Sequence, residues 1–151
     1  MDSPLSAAGH AQAKAALQSL EVTLTYTSPL PRARQTAEYL TSRQIIEIQD
    51  LRELDYGEWT GKTWTEIETN WSDLASQKSA DWLNITPPGG ETWNELLQRV
   101  GAVWTIIHSG PEPCAVVAHQ AVNAALASLL TQTDPLHFAQ QYGEVLRIEY
   151  A

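Results

Sequence analysis

Short apolar runs alternate with helical patterns along the chain, and this alternation is the feature that most constrains its fold. Runs rich in β-branched and aromatic residues predict strands over 22–27, 45–48, 114–118 and 145–150. Apolar spacing and capping residues predict helices over 6–20, 31–42, 63–77, 92–108 and 135–141, with another that follows residue 118 and ends near 130. We therefore expect an α/β protein, a three-layer α/β/α sandwich with a mostly parallel sheet.

The composition sets the class of protein and excludes some partners. A chain of 151 residues with 43% hydrophobic residues fits one domain over 1–151. A formal charge of −9 without a Lys/Arg cluster argues against nucleic acid as a partner. No apolar run approaches the ~20 residues of a membrane helix, and Met1 to Pro4 show no signal-peptide pattern, so we expect no membrane partner and a cytoplasmic location. Cys114, the single cysteine, is expected to be a buried core thiol.

Ligands of parallel α/β sheets bind outside the carboxyl ends of the strands, which directs attention to two places. Arg32 lies in the first turn of a predicted helix that follows the 22–27 strand, where a guanidinium suits phosphate, although a surface arginine gives the same pattern. His119 follows the 114–118 strand and can titrate near neutral pH, although a buried histidine satisfied by the backbone fits equally. The four histidines have no metal-ligand spacing, so we assign no metal.

Two further segments carry polar residues. Glu53, Asp55 and Glu58 lie within six residues beside Tyr56 and Trp59, an environment that can suit a general acid or form a loop of solvated charges. The turn 89–92 leads into a helix, and either caps that helix or gates a substrate. The sequence around Glu53 alone favours the solvated loop.

Five segments in chain order resemble motifs of the histidine phosphatase (phosphoglycerate mutase-like) superfamily. Residues 2–13 resemble the opening Pro-Leu-Ser…Gly…Gln-Ala helix, and 28–37 resemble the Ser-Pro-Leu-x-Arg-Ala-x-x-Thr-Ala segment. Residues 51–61 resemble Leu-x-Glu-x-x-x-Gly-x-Trp-x-Gly, and 88–100 resemble the Gly-Gly-Glu-Ser…Arg-Val helix. The strand ending in 116–119 is similar to the one that carries the family's second catalytic histidine.

The resemblance implies a phosphomonoester hydrolase that passes a phosphoryl group to a histidine and then to water, with no metal or organic cofactor. It implies that Arg32 binds phosphate and that Glu53 donates a proton to the leaving oxygen. It also implies that His119 contacts the phosphoryl oxygens as charge builds in the transition state. The implied partner is phosphate or a small phosphorylated substrate, whose identity stays open; transfer to another hydroxyl, as in a mutase, is the lesser expectation.

Two departures from the family pattern bear on activity. The family's Arg-His-Gly motif and first strand lie upstream of the Pro-Leu-Ser segment, whereas this sequence begins at Met1, so we expect a truncated, inactive domain without that strand. Either Met1 is an internal methionine of a longer product or the chain is a natural non-catalytic relative. Gln120 stands where the family usually has glycine and is expected to reshape the pocket. A missing strand exposes sheet edges, and these predict a homo-oligomer or a rearranged sheet.

Two other functions remain. One is a pseudophosphatase that uses Arg32 and His119 to hold a phosphorylated ligand without cleaving it. The other is a glycoside hydrolase built on the Glu53, Asp55 and Glu58 carboxylates.

Overall fold

The computed structural model describes residues 3–149, which form two compact units. The helical unit comprises residues 54–98, and the sheet unit comprises residues 3–53 and 99–149. All five strands lie in the sheet unit. Among residues 3–149, no helix combines the length and the apolar character that crossing a bilayer requires.

Helices and strands alternate as the sequence predicts. The strands are β1 (Glu21–Val22), β2 (Leu24–Thr27), β3 (Thr41–Ser42), β4 (Ile45–Glu47) and β5 (Cys114–Val117). The α-helices are α1 (Ala7–Leu17), α2 (Pro31–Ala37), α3 (Trp64–Asn70), α4 (Ser72–Ala80), α5 (Trp93–His108) and α6 (Gln120–Thr131). Three short 3₁₀ helices cover Gln49–Leu51, Gly57–Trp59 and Pro135–His137.

The sheet unit is built on parallel pairing. A three-stranded sheet has the order β4-β2-β5, and β1 pairs with β3 in a separate two-stranded sheet. Every residue of the central strand β2 is buried, because it has a neighbouring strand on each side and a sequence of bulky and β-branched residues that pack well on a pleated surface. Parallel pairing throughout the described strands confirms the predicted α/β class.

Two helices supply much of the core of the sheet unit. In α5, Val100, Val103 and Ile107 recur at helical spacing and are almost fully buried. In α6, Leu126 is buried together with Ala124, Ala125 and Ala127, whose small side chains allow the helix to approach its neighbours closely. Both helices were predicted from the sequence, and their buried residues show which parts of them enter the core.

Capping residues fix where several helices begin. The Ser6 hydroxyl accepts the Gly9 N–H at 3.1 Å, which confirms the predicted start of α1. Thr92 and Glu95 form a reciprocal capping box at α5, in which the Glu95 carboxylate accepts the Thr92 N–H at 2.8 Å. The 89–92 turn thus has a capping function, one of its two predicted roles.

The helical unit packs around Trp59, Ile67 and Ala75. The single helix predicted over 63–77 is wrong: the backbone leaves helical geometry at Trp71, where φ is −139° and ψ is 50°, and separates α3 from α4. The Trp71 ring packs against Trp59 at a centroid distance of 6.4 Å, so tertiary packing opposes helix continuation there.

Buried Lys78 stabilises the end of α4. Its ammonium donates hydrogen bonds to the carbonyl oxygens of Trp82 and, at 2.6 Å, of Ile85. Burial lowers the pKa of this ammonium. The two carbonyl acceptors satisfy the buried amino group and hold the loop after α4 against the helix.

Other predicted boundaries also need correction. The predicted strand 22–27 is interrupted at Thr23. The first two helices are shorter than predicted: α1 ends at Leu17 and α2 at Ala37, and i→i+3 hydrogen bonds tighten the chain after each of them. The predicted helix 135–141 is only a 3₁₀ turn capped by Asp134. Residues 145–149 of the predicted closing strand form no strand, since they pair with no strand among the described residues; residue 150 lies outside them.

Gly57 allows a close contact inside the helical unit. Its φ is +52°, and a Cβ at this position would lie 2.2 Å from the Pro88 carbonyl oxygen. The neighbouring Glu58 N–H donates to that same oxygen at 2.9 Å, and the Glu91 N–H donates to the Asp55 carbonyl at 2.8 Å. These bonds join the 55–58 and 88–91 segments, which contain two of the family-like motifs.

We expect Gly57→Ala to lower the free energy of unfolding by about 3 kcal/mol, because left-handed strain adds to a backbone clash. Gly89→Ala is the matched control: its φ is +68°, but a Cβ there meets nothing within 4 Å, so strain alone costs about 1 kcal/mol. Urea denaturation measures both. Equal losses in the two variants would contradict the proposed contact.

Candidate functional site

Parallel pairing of β2 with β5 brings Ser28 and His119 together. Thr27 and Val117 are register partners at the carboxyl ends of these strands, and the Ser28 N–H continues the pairing by donating to the Val117 carbonyl at 3.0 Å. Ser28 is 0% exposed and His119 is 7% exposed. The two side chains therefore meet, buried, at the sheet edge where ligands of parallel α/β sheets bind.

The His119 imidazole is buried, neutral and hydrogen-bonded. Its Nε2 lies 2.8 Å from the Ser28 hydroxyl oxygen. Burial, followed by the positive charges of Arg32 and Arg99, lowers the pKa of His119 to about 4. Of the two alternatives that the sequence left open, the buried histidine matches this environment, although its partner is the Ser28 hydroxyl rather than the backbone.

Arg32 lies in the first turn of α2, where Pro31 starts the helix as predicted. Its side chain is half-buried, and its charge acts on His119. Arg34, two residues later, differs: its guanidinium pairs with Glu47 at 2.9 Å, and its side chain is 52% exposed. Of these two arginines on one short helix, Arg32 is the one whose charge bears on the buried imidazole.

Arg99 is a second cation near His119, and the sequence interpretation gave it no functional role. From α5 its guanidinium donates to the carbonyl oxygens of Asp50 and, at 3.4 Å, of Glu53. It thereby fixes the backbone that carries Glu53 while adding positive charge at His119. The Arg-Val pair within 88–100 was the available sequence signal, but the pattern alone gave no reason to separate this arginine from a surface one.

Glu53 is half-buried and follows the 3₁₀ helix at Gln49–Leu51, just beyond β4. The other two carboxylates of its predicted cluster are exposed and belong to the helical unit. Asp55 has a structural role there, because its carboxylate accepts the Gly57 N–H at 2.8 Å.

The remaining histidines are engaged elsewhere. His10 Nδ1 lies 3.0 Å from the Tyr39 hydroxyl, and the His108 ring packs against Trp104 at 5.2 Å. The side chain of His137 is 83% exposed. Among the described residues, no three His, Cys, Asp or Glu side chains gather closely enough to hold a metal ion.

Cys114, at the start of β5, and Gln120, next to His119 in the chain, also carry predictions. Cys114 is half-buried rather than fully buried, and burial raises the pKa of its thiol, so it stays in the unreactive protonated form. Gln120, the first residue of α6, is exposed.

The sheet unit therefore brings two guanidiniums to a buried neutral imidazole. Positive charge beside a buried imidazole opposes a second cation and favours a bound anion. Guanidinium groups suit phosphate because their planar N–H donors match its oxygens, and the imidazole adds one further donor. The arrangement can bind a phosphate group and stabilise negative charge that builds on it.

Comparisons with known proteins agree with this chemistry. The family model described as histidine phosphatase superfamily (branch 1) matches residues 1–151. A 2,3-bisphosphoglycerate-dependent phosphoglycerate mutase from Brucella ovis is 31% identical over 110 residues, which cover 66% of this chain and 53% of the mutase. The chain thus spans about half the length of this relative.

Two solved structures share the fold. The α-ribazole phosphatase from Shigella flexneri has a TM-score of 0.82 and 25% identity, covering 93% of this chain and 75% of its own. A mycobacterial glucosyl-3-phosphoglycerate phosphatase in complex with inorganic phosphate has a TM-score of 0.74 and 27% identity, covering 89% of this chain and 72% of its own.

The lowered pKa of His119 predicts a pH-dependent stability. Between the ordinary pKa of 6.5 and the folded value of about 4, the unfolded chain binds the proton more tightly than the folded protein. This contribution is therefore complete above pH 6.5 and is lost as the pH falls towards 4. We expect the loss between pH 7 and 4.5 to be about 2 to 3 kcal/mol larger in the wild type than in His119→Gln.

Urea denaturation at the two pH values measures this difference. His137→Gln is the control, since its exposed side chain predicts the same pH dependence as the wild type. If His119→Gln loses as much stability as the wild type, the buried neutral state is refuted.

Proposed function

We propose, from the premise that this chain belongs to the histidine phosphatase superfamily, that it binds the phosphate group of a small phosphomonoester at Arg32 and His119. The observation that carries the proposal is the effect of the Arg32 and Arg99 charges on one buried imidazole. A buried imidazole under the influence of cationic side chains, at the sheet edge where ligands of parallel α/β sheets bind, suits a bound anion.

Each side chain has a role that matches its environment. Arg32 supplies planar N–H donors to the phosphate oxygens. Arg99 adds positive charge while its guanidinium keeps its hydrogen bond to the Glu53 carbonyl. His119 donates a hydrogen bond to a phosphoryl oxygen as charge builds in the transition state. Glu53, whose backbone carbonyl accepts a hydrogen bond from Arg99, donates a proton to the leaving oxygen.

The phosphohistidine step needs a nucleophile that this sequence does not place at the site. Of its four histidines, His119 is hydrogen-bonded to Ser28. His10 is next to Tyr39, His108 packs on Trp104, and His137 is exposed. We propose that the 151-residue polypeptide binds phosphate with turnover lowered by up to about 10⁶-fold, by analogy with a hydrolase that has lost its nucleophile. The nucleophile then comes from a segment outside these residues, or the protein serves as a pseudophosphatase.

The substrate class follows the chemistry that the relatives share. The Brucella ovis protein is a phosphoglycerate mutase, and the Shigella flexneri and mycobacterial proteins are phosphatases of different substrates. The complex of the mycobacterial phosphatase with inorganic phosphate supports a phosphate pocket in this fold. We therefore propose hydrolysis of a small phosphomonoester as the activity of the complete enzyme, without choosing among the relatives' substrates.

Two sequence-based expectations stay predictions. One is the cytoplasmic location. The other is a homo-oligomer formed through an exposed sheet edge: every residue of β5 is half-buried, and within residues 3–149 the strand pairs only with β2. Sedimentation over a range of protein concentrations measures the oligomeric state, and a monomer at all concentrations would contradict the oligomer.

Binding of inorganic phosphate tests the proposed pocket. We expect Arg32→Ala to weaken binding at least about tenfold, because a charge-assisted bidentate contact is lost. Arg34→Ala is the matched control on the same helix and is expected to bind like the wild type, since Arg34 pairs with Glu47. Isothermal titration calorimetry reports both, and equal affinities for the two variants would refute the site.

Hydrolysis of an aryl phosphate separates the two forms of the function. We expect the 151-residue polypeptide to be inactive. A polypeptide extended by the natural upstream residues is expected to be active if those residues supply the nucleophile, and in that form Glu53→Gln should lower kcat more than Glu58→Gln does. Silence from the extended form, with phosphate still bound, would favour the pseudophosphatase.

A further inference from the structure

Ser28 has a contact that the proposed roles of Arg32, Glu53 and His119 do not explain. Its hydroxyl oxygen lies 2.8 Å from His119 Nε2 and accepts the Leu30 N–H at 3.2 Å. The side chain is fully buried, so water does not satisfy the hydroxyl proton. The partners of this one hydroxyl therefore determine where its proton lies.

The direction of the Ser28–His119 hydrogen bond follows from the partners available. A serine hydroxyl donates one hydrogen bond and accepts others. Leu30 N–H uses an acceptor position, and among the described residues His119 Nε2 is the only acceptor bonded to this oxygen. The Ser28 hydroxyl therefore donates to Nε2, and Nε2 carries no proton.

We propose that Ser28 is a positioning residue that selects the Nδ1–H tautomer of His119 and directs that N–H towards the bound phosphate. This inference rests on the proposed function, because it defines how one of the phosphate contacts is prepared. The neutral imidazole expected from its lowered pKa is consistent with a single ring proton. In residues 3–149, Nδ1 makes no hydrogen bond, so its proton is available to a ligand.

This arrangement divides the work of the pocket. The two arginines supply permanent positive charge, and His119 supplies one oriented donor. Ser28 holds the ring from the side opposite the donor and is itself fixed by the Leu30 N–H, a contact two residues along the same turn. A donor fixed before binding loses less freedom when the ligand arrives.

Nitrogen-15 NMR of the histidine side chains tests the tautomer directly. In the wild type at pH 7 without ligand, we expect His119 to show a protonated Nδ1 and an unprotonated Nε2. In Ser28→Ala the proton is shared between the two nitrogens, so their signals should move towards each other. A wild-type spectrum with the proton on Nε2 would overturn the proposal, whether or not the variant folds.

Phosphate binding supplies the second measurement. We expect Ser28→Ala to weaken binding of inorganic phosphate about three- to tenfold, the range for losing one oriented neutral hydrogen bond. Ser128→Ala is the matched control, because its hydroxyl donates to the Ala125 carbonyl at 2.8 Å within α6 and does not bond His119. Unchanged affinity in Ser28→Ala would also overturn the positioning role.

The two proposals fail in different ways. If the proposed function is wrong, phosphate binds neither to the wild type nor to the variants, while the Nδ1–H tautomer is still seen. If only the role of Ser28 is wrong, phosphate binds and Arg32→Ala weakens binding as expected, but the Ser28→Ala spectrum keeps the wild-type pattern of protonation.

Discussion

The pairing of β2 with β5 is the interaction on which the proposed site depends. These strands are separated by more than eighty residues of sequence, and their register places Thr27 opposite Val117. Since both strands run in the same direction, the residues that follow them emerge at one edge, and the Ser28 N–H extends the pairing by one bond. A shift of one residue in this register would separate the serine hydroxyl from the imidazole.

The positive charges that act on His119 oppose protonation of its imidazole and favour binding of an anion. Burial, and then the positive charges of Arg32 and Arg99, lower the pKa of His119 and keep its imidazole neutral. Strongly shifted pKa values of buried groups cluster at functional sites in proteins. Arg99 also contributes to the structure, because its guanidinium donates hydrogen bonds to the Asp50 and Glu53 carbonyls.

The family-like motifs contain residues with different purposes. The charge of Arg32 acts on buried His119, whereas Gly57 serves the backbone: its positive φ and lack of a side chain allow the Pro88 carbonyl to approach. Asp55 likewise satisfies a backbone N–H rather than offering a catalytic carboxylate. A motif in the sequence therefore does not state which of its residues does chemistry, and local geometry separates the two kinds.

The order of strands and helices, the parallel α/β class and the starts of α1, α2 and α5 were predictable from the sequence. They depend on short-range properties: β-branched runs, helical spacing, a proline in the first turn and capping side chains. The Arg32 and His119 positions were also predictable, since each follows a strand at its carboxyl end.

Tertiary structure alone decided the break at Trp71 and the absence of strand pairing for residues 145–149 among the described residues. It also decided the low pKa of His119, its hydrogen bond with Ser28 and the contact of Arg99 with the Glu53 backbone. Each depends on residues distant in the chain. Burial, hydrogen-bond direction and the summed effect of neighbouring charges arise only when the folded chain brings those residues together, so no local pattern encodes them separately.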